Sequence, residues 1–266
     1  MTDPLDPWPW RVLTAHQAEV ARRFLAARSA ERNHLVIYLS GAHAYGFPSP
    51  DSDLDLTCVH IAPTRDLVGL DVVDDARDRL EIIEGVELDY GSNELAQVLR
   101  GAIKGNGNFL ERLFGDLALG GDPALLAEAR AVVRPVLSRR VARHYAGFAT
   151  SQLHAFEAVP TAKRALYVLR TAATGRHLLA HGELETDVAR LTAFVPDEIA
   201  ELIDIKRQAE RQQLDPARAA AWRARLAAAI DAVDATAASS VLPPDPPPET
   251  IAAVDSWLRG LRQRFW

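Results

Sequence analysis

Four residues, Asp53-Leu54-Asp55-Leu56, constrain this chain more than any others. In extended backbone successive side chains point to opposite faces, so the two leucines enter a core while the two aspartates project together on the other side. A helix would spread the four around its circumference. The alternation therefore calls for a sheet with one face open to polar chemistry, and residues 53–61, DLDLTCVHI, read as one of its strands. The apolar run His34–Leu39, ended by Ser40-Gly41, reads as the strand before it. Glu81 to Asp89 reads as a hairpin or two extended pieces near Gly85. A helix follows from Glu94 to Lys104, with Asn93 as its cap and Gly105 just past its end. A helix is also expected over residues 15–31, where Val20, Phe24 and Leu25 share one stripe.

From about residue 120 the chain becomes rich in Ala, Leu and Arg, and its apolar residues recur at helical spacing. Helices are expected over 122–131, 138–157, 162–181, 196–212 and 216–237, with few strand candidates. A proline cluster over 242–248 reads as an extended linker. A last amphipathic helix over 250–265 carries Ile251, Val254, Trp257, Leu258 and Leu261, and it is expected to dock back on the body. The division this suggests is 1–120 as an α/β domain, 121–241 as a helical domain, 242–249 as linker and 250–266 as terminal helix.

Several function classes fall away on composition. No apolar run approaches the ~20 residues that a membrane-crossing helix needs. The opening Met1-Thr2-Asp3-Pro4 lacks the pattern of a secretion signal. Cys58 stands alone, which excludes an internal disulfide or a Cys-rich zinc site. These features together suggest a cytoplasmic protein without a membrane partner. The net charge of −6 provides no general attraction to nucleic acid. Its distribution is uneven, however: residues 1–120 hold 11 basic against 19 acidic side chains, and residues 121–266 hold 19 against 17. Only three of the 30 basic residues are lysines: Lys104, Lys163 and Lys206. In so arginine-rich a chain, a surviving lysine suggests a task that the guanidinium fork performs poorly.

Two carboxylates side by side repel each other unless a cation lies between them. Mg²⁺, or Mn²⁺ in its place, prefers oxygen ligands and substrate phosphates and suits Asp53 and Asp55. The glycine turn Ser40-Gly41, just after the first strand, lets backbone N–H groups approach a triphosphate. Strand, glycine turn and paired aspartates together describe a two-metal phosphoryl-transfer site. A calcium loop starting at Asp51 is excluded, because Leu56 and Ala62 stand where Gly and Glu would be required. Lys163, Tyr167 and Arg170 are spaced i, i+4, i+7 and so share a helix face, whose two cations can clasp outgoing pyrophosphate. His43 can either touch phosphate or fill the turn, and His60 on the second strand reads as structural.

Ser40-Gly-Ala-His-Ala-Tyr-Gly46, followed by Pro50-Asp-Ser-Asp-Leu-Asp-Leu56, resembles the signature of the DNA polymerase β-like nucleotidyltransferases. In particular it resembles the branch of predicted bacterial nucleotidyltransferases linked to RNA repair. Lys104-Gly-Asn106-Gly-Asn108-Phe-Leu-Glu111 is similar to that branch's KGNPN-x-LE segment. Lys163-Arg-Ala-Leu-Tyr167-Val-Leu-Arg170 and His181-Gly-Glu-Leu184 resemble its C-terminal helices. The resemblance runs from about residue 34 to 210.

It implies an α/β (α+β) nucleotidyltransferase domain with a short mixed sheet, followed by an all-helical region that clasps substrate. It implies Asp53 and Asp55 as metal ligands and Asp89 as the third carboxylate, with Glu87 as the fallback on the same face. Gly41 matches the phosphate-facing glycine. Ala42 departs from the pattern, which usually has serine there, and Ser40 or His43 would have to compensate. Asn106 and Glu111 are expected to act in structure more than in chemistry, Asn106 in the turn after the helix and Glu111 on an arginine near Arg112. The implied reaction moves a nucleoside monophosphate from an NTP to an acceptor hydroxyl, with an RNA end as first choice. The alternatives are nucleotidylylation of a small molecule or protein, or an NTP sensor without transfer.

Overall fold

The computed structural model describes residues 8–68, 70, 78–208 and 212–266. The opening residues Met1–Pro4 and the end of the helix expected over 196–212 lie outside them. Helix α1 (Ala15–Glu31) begins where Thr14 accepts a hydrogen bond from the Gln17 backbone N–H and the Gln17 side chain returns the bond. Strand β1 (Asn33–Leu39) leads into the single-turn helix α2 (Gly41–Ala44). Strand β2 (Leu54–Ile61) then returns antiparallel to β1.

The hairpin expected near Gly85 is formed by β3 (Arg79–Ile83) and β4 (Val86–Glu94). Its two-residue turn holds Glu84 and Gly85 at φ 51° and 81°, the left-handed pair that matches strand twist. Arg23 and His16 of α1 hold Glu84 in place, through its carboxylate and its carbonyl. Strand β5 (Ala118–Gly121), too short and glycine-rich to announce itself in the sequence, pairs with the other edge of β1. Among the described residues these strands form one mixed sheet in the order β3-β4-β2-β1-β5, with β2 and β4 parallel.

Helix α3 (Leu95–Ile103) follows β4 directly. Its cap is Glu94, whose carboxylate accepts from the Ala96 N–H at 2.7 Å, and not Asn93 as expected. Strand pairing with β2 persists through Asn93 and Glu94, which delays the helix by one residue. The Asn93 side chain is used elsewhere, donating to Gln97 and accepting from Arg112. Helix α4 (Gly107–Phe114), not anticipated, is capped by Asn106, which accepts from the Asn108 N–H.

The remainder is helical: α5 (Pro123–Val133), α6 (Val141–Ala158), α7 (Ala162–His181), α8 (Ile199–Gln208), α9 (Pro216–Ala238) and α10 (Pro248–Arg264). Asp122, Thr161 and Asp215 cap α5, α7 and α9, and Gly182 ends α7 in left-handed conformation. Helix α7 is the hub of this region, with a nearly continuous buried surface that packs against α6, α8 and α9. Among the described residues no helix is long and apolar enough to cross a membrane.

Helix α10 does dock back, onto the sheet end of the molecule. Thr64 bonds both Phe265 and Arg262 through their carbonyls, and the Arg262 guanidinium reaches the Ala62 carbonyl and the Glu94 carboxylate. Leu261 is 1 % exposed, so Leu261→Ala is expected to lower unfolding free energy by about 3 kcal/mol in urea titration. Arg259→Ala, on the solvent side of the same helix, should stay within about 0.5 kcal/mol of the parent protein.

Candidate functional site

The parallel pairing of β2 with β4 aligns Asp55 with Asp89, and Leu54 with Leu88. Aligned residues on neighbouring strands share a face, and strands lie about 4.8 Å apart. One side of this strand pair is therefore apolar, built by Leu54, Leu56, Leu88 and Tyr90, with the Tyr90 ring edge-on to Phe24 of α1. The other side carries Asp55 and Asp89, with exposed Glu87 two residues before Asp89. Asp53 precedes the strand, partly buried.

Gly41 closes the site from behind. It sits at φ 64°, and a Cβ there would lie 1.7 Å from an Asp55 carboxylate oxygen. Backbone conformation and space both require glycine at this position. The Ser40 N–H donates to the Asp55 carbonyl at 2.8 Å, tying the turn to β2. Ala42 is buried, and Ser40 supplies the partly exposed hydroxyl of the turn, 3.2 Å from the Tyr45 hydroxyl.

The electrostatics of the cluster are unbalanced. Burial, then the charges of Asp53 and Asp89, push the Asp55 carboxyl up from 3.8 to about 7, with Glu87 adding and Lys163 opposing. Lys163, in the first turn of α7, thus lies within the field of these acids. An all-oxygen donor set with excess negative charge and a carboxylate against a glycine backbone fits a hard divalent cation such as Mg²⁺ or Mn²⁺. Among the described residues no three His, Cys, Asp or Glu side chains are gathered closely enough to enclose an ion by themselves. Mg²⁺ usually draws on one or two carboxylates, with water and substrate phosphates completing its shell, so the open arrangement agrees with that donor chemistry.

Helix α7 delivers its three spaced residues to three depths. Lys163 acts on Asp55 through its charge. Tyr167, one turn deeper, is edge-on to Tyr45 at 5.8 Å and to Phe47 at 5.7 Å. Arg170, expected on pyrophosphate, is 1 % exposed and donates to the Glu111 carboxylate of α4 at 2.6 Å. Its guanidinium also stacks on the Tyr45 ring at 3.6 Å, and the Tyr45 hydroxyl donates to the other Glu111 oxygen. Burial opposes the Arg170 charge, and Glu111 and Tyr45 more than offset it, so its pKa is raised. Burial likewise lifts Tyr45 to about 12, which keeps its hydroxyl a donor.

The partner of Glu111 is therefore Arg170, from 59 residues away, and not a neighbour of Arg112. Arg112 turns to Asn93 and to the Cys58 carbonyl. His43 is buried, which lowers its pKa to about 4, with Asp53 working against that shift. It is neutral at physiological pH and offers no cation to a phosphate. His60 bonds Ser92 at 2.8 Å within the sheet, in keeping with a structural role.

Tyr45, Phe47 and Glu111 thus support the site without having stood out as its members. For Tyr45 and Glu111 the signal lay inside the motifs, in the glycine turn and at the end of the KGN segment, whereas Phe47 falls outside both. Arg176 and Arg190, by contrast, are engaged at the far end of α7 and in the loop beyond it.

Comparison with known proteins agrees with this fold. The family model described as the RNA repair pathway DNA polymerase beta family, RlaP, matches residues 18–260. The chain belongs to that family. An uncharacterized protein of Methanocaldococcus jannaschii, MJ0002, is 27% identical over 179 residues, covering 65% of this chain and 72% of its own length.

Two outcomes follow. Removing either member of the Glu111–Arg170 pair strands a buried charge, so Glu111→Ala should cost about 3–5 kcal/mol in chemical denaturation. The double variant Glu111→Leu/Arg170→Met should recover most of that loss.

The second concerns pH. The folded Asp55 carboxyl binds its proton more readily than the unfolded chain does. Its contribution to stability is complete below about 4 and is lost as pH rises through about 7. In EDTA at pH 8, Asp55→Asn should therefore melt several degrees above the parent protein, and at pH 5 the gap should shrink. Added Mg²⁺ should reverse the order at pH 8. An Asn variant that melts lower in EDTA at pH 8 would contradict the raised pKa.

Proposed function

We propose that this protein transfers a nucleoside monophosphate from an NTP to an acceptor hydroxyl, with an RNA end as acceptor. The observation that carries the reading is the alignment of Asp55 with Asp89 on adjacent parallel strands, beside Asp53 and against the Gly41 backbone. Membership of a polymerase β-like family tied to RNA repair supports both the reaction class and the acceptor.

Asp53, Asp55 and Asp89 would hold Mg²⁺ or Mn²⁺. When bound, such an ion lowers the pKa of an attacking hydroxyl and neutralises charge on the leaving oxygen. The other tasks fall to the chain itself. Gly41 gives the triphosphate close access to backbone beside Asp55, and Ser40 offers a hydroxyl in place of the serine missing at Ala42. Asp89, on the exposed side of the cluster, accepts the proton of the acceptor hydroxyl. The acceptor oxygen bonds to the α-phosphorus as the bridging bond to the β-phosphate breaks, and pyrophosphate departs. Lys163 acts on Asp55 through its charge and offsets charge on the triphosphate. Arg170 acts at one remove, holding Tyr45 and hence the glycine turn through Glu111.

The test is incorporation of label from each α-labelled NTP, with Mg²⁺ or Mn²⁺, into RNA, a protein extract or a metabolite pool. Label is expected in RNA, and it should fall at least a hundredfold in Asp53→Ala and in Asp55→Ala variants that keep the parent circular dichroism. Label in protein or metabolites alone would overturn the acceptor assignment. Metal-dependent NTP binding without transfer to any pool would make the chain a sensor. Undiminished transfer by both variants would sink the site.

A further inference from the structure

Lys206 is the third of the chain's three lysines, and the proposed reaction makes no use of it. It lies in α8, 1 % exposed, and its Nζ donates to Ser49 Oγ at 2.9 Å. Burying an ammonium costs several kcal/mol of lost hydration, so a purely packing role at this position would be filled at lower cost by methionine or leucine. The ammonium also lies 5.9 Å from the Phe47 ring.

Ser49 begins a knot of short bonds. Its Oγ is 3.0 Å from Ser52 Oγ, its N–H donates to the same Ser52 Oγ at 2.9 Å, and the Ser52 N–H donates to the Ser49 carbonyl at 3.0 Å. The Ser52 carbonyl accepts from Gln17 of α1. The next residue is Asp53. A helix more than 150 residues away thus grips the short turn that aims the first carboxylate of the site. Lys206 and Asp53 also both act electrostatically on His43, with opposite signs.

We propose that Lys206 is a positioning residue, which fixes the 47–53 segment through Ser49 and Ser52 and thereby sets the affinity of the site for a divalent cation. Lysine suits the task because its flexible stem brings a compact point charge to the Ser49 hydroxyl, where arginine would bring a planar fork. The inference rests on the reading of Asp53, Asp55 and Asp89 as metal ligands.

Two mechanisms have opposite signs and can be separated. A buried positive charge near Asp53 acts through space to weaken cation binding, so its removal would tighten binding. A hydrogen-bonded support strengthens binding, so its removal weakens it. Ser49→Ala breaks the support and leaves the charge, whereas Lys206→Met removes both.

The experiment is Mn²⁺ binding to the full chain followed by electron paramagnetic resonance, which needs no acceptor. Val233→Ala, in the core of α9, serves as a control for loss of stability in another element. Ser49→Ala and Lys206→Met are expected to bind Mn²⁺ about 10-fold more weakly than the parent protein, the usual effect of losing a residue that orients a ligand. Val233→Ala should bind as the parent does. Parent-like binding by Ser49→Ala overturns the proposal, whether or not Lys206→Met folds. Tighter binding by Lys206→Met, or equal weakening in Val233→Ala, overturns it as well. Failure of the parent chain itself to bind Mn²⁺ would instead remove the metal-site reading, and the role of Lys206 with it.

Discussion

The buried contact of Arg170 with Glu111 and Tyr45 is the point on which the arrangement of the site depends. Taking two opposite charges out of water is costly, and the cost is recovered only when geometry and further hydrogen bonds are both good. Here the guanidinium has a carboxylate at 2.6 Å and an aromatic face at 3.6 Å, and the Tyr45 hydroxyl occupies the second carboxylate oxygen. Three separate parts of the chain meet there: the turn after β1, helix α4 and helix α7. An apolar cluster of the same size would tolerate small slides between these parts. A directed ion pair tolerates far fewer, and so fixes where the start of α7 stands relative to the sheet.

That fixed relation matters because the acidic cluster is electrostatically costly without a cation. Sheet register brings Asp55 and Asp89 together, Asp53 adds a third charge, and the glycine turn removes space into which Asp55 would otherwise relax. Burial, and after it the charges of Asp53 and Asp89, push the Asp55 carboxyl up to about 7. Lys163 relieves part of it from the first turn of α7, the same helix whose Arg170 is anchored two turns deeper. The carboxylates thus repel one another above a rigid support.

Much of the framework was legible because it rests on local rules. Alternation in DLDL, the apolar run ending at Ser40-Gly41 and the helical spacing after residue 120 each express a period of the backbone itself. Short elements were harder: α4 has two turns, and β5 has four residues of which two are glycine. Neither accumulates enough periods to be read. The cap of α3 was misplaced by one residue because strand pairing, a contact between distant segments, decided where the helix could start.

The sequence alone determined the alternation that buries Leu54 and Leu56, the family and the helical character of the second half. All of these are written in neighbouring positions or in a linear signature. Tertiary structure decided which cations stay at the surface and which are consumed. Lys163 and Arg170 share one helix face, yet one acts on Asp55 through its charge while the other is held in the core by a carboxylate 59 residues away. It likewise decided that Lys206 reaches Ser49, and that Asp55 lies beside Asp89. Helical and strand periodicity specify a direction around an axis. The depth to which a side chain is buried, and the partner it finds there, depend on which elements pack together, a choice made by the whole core.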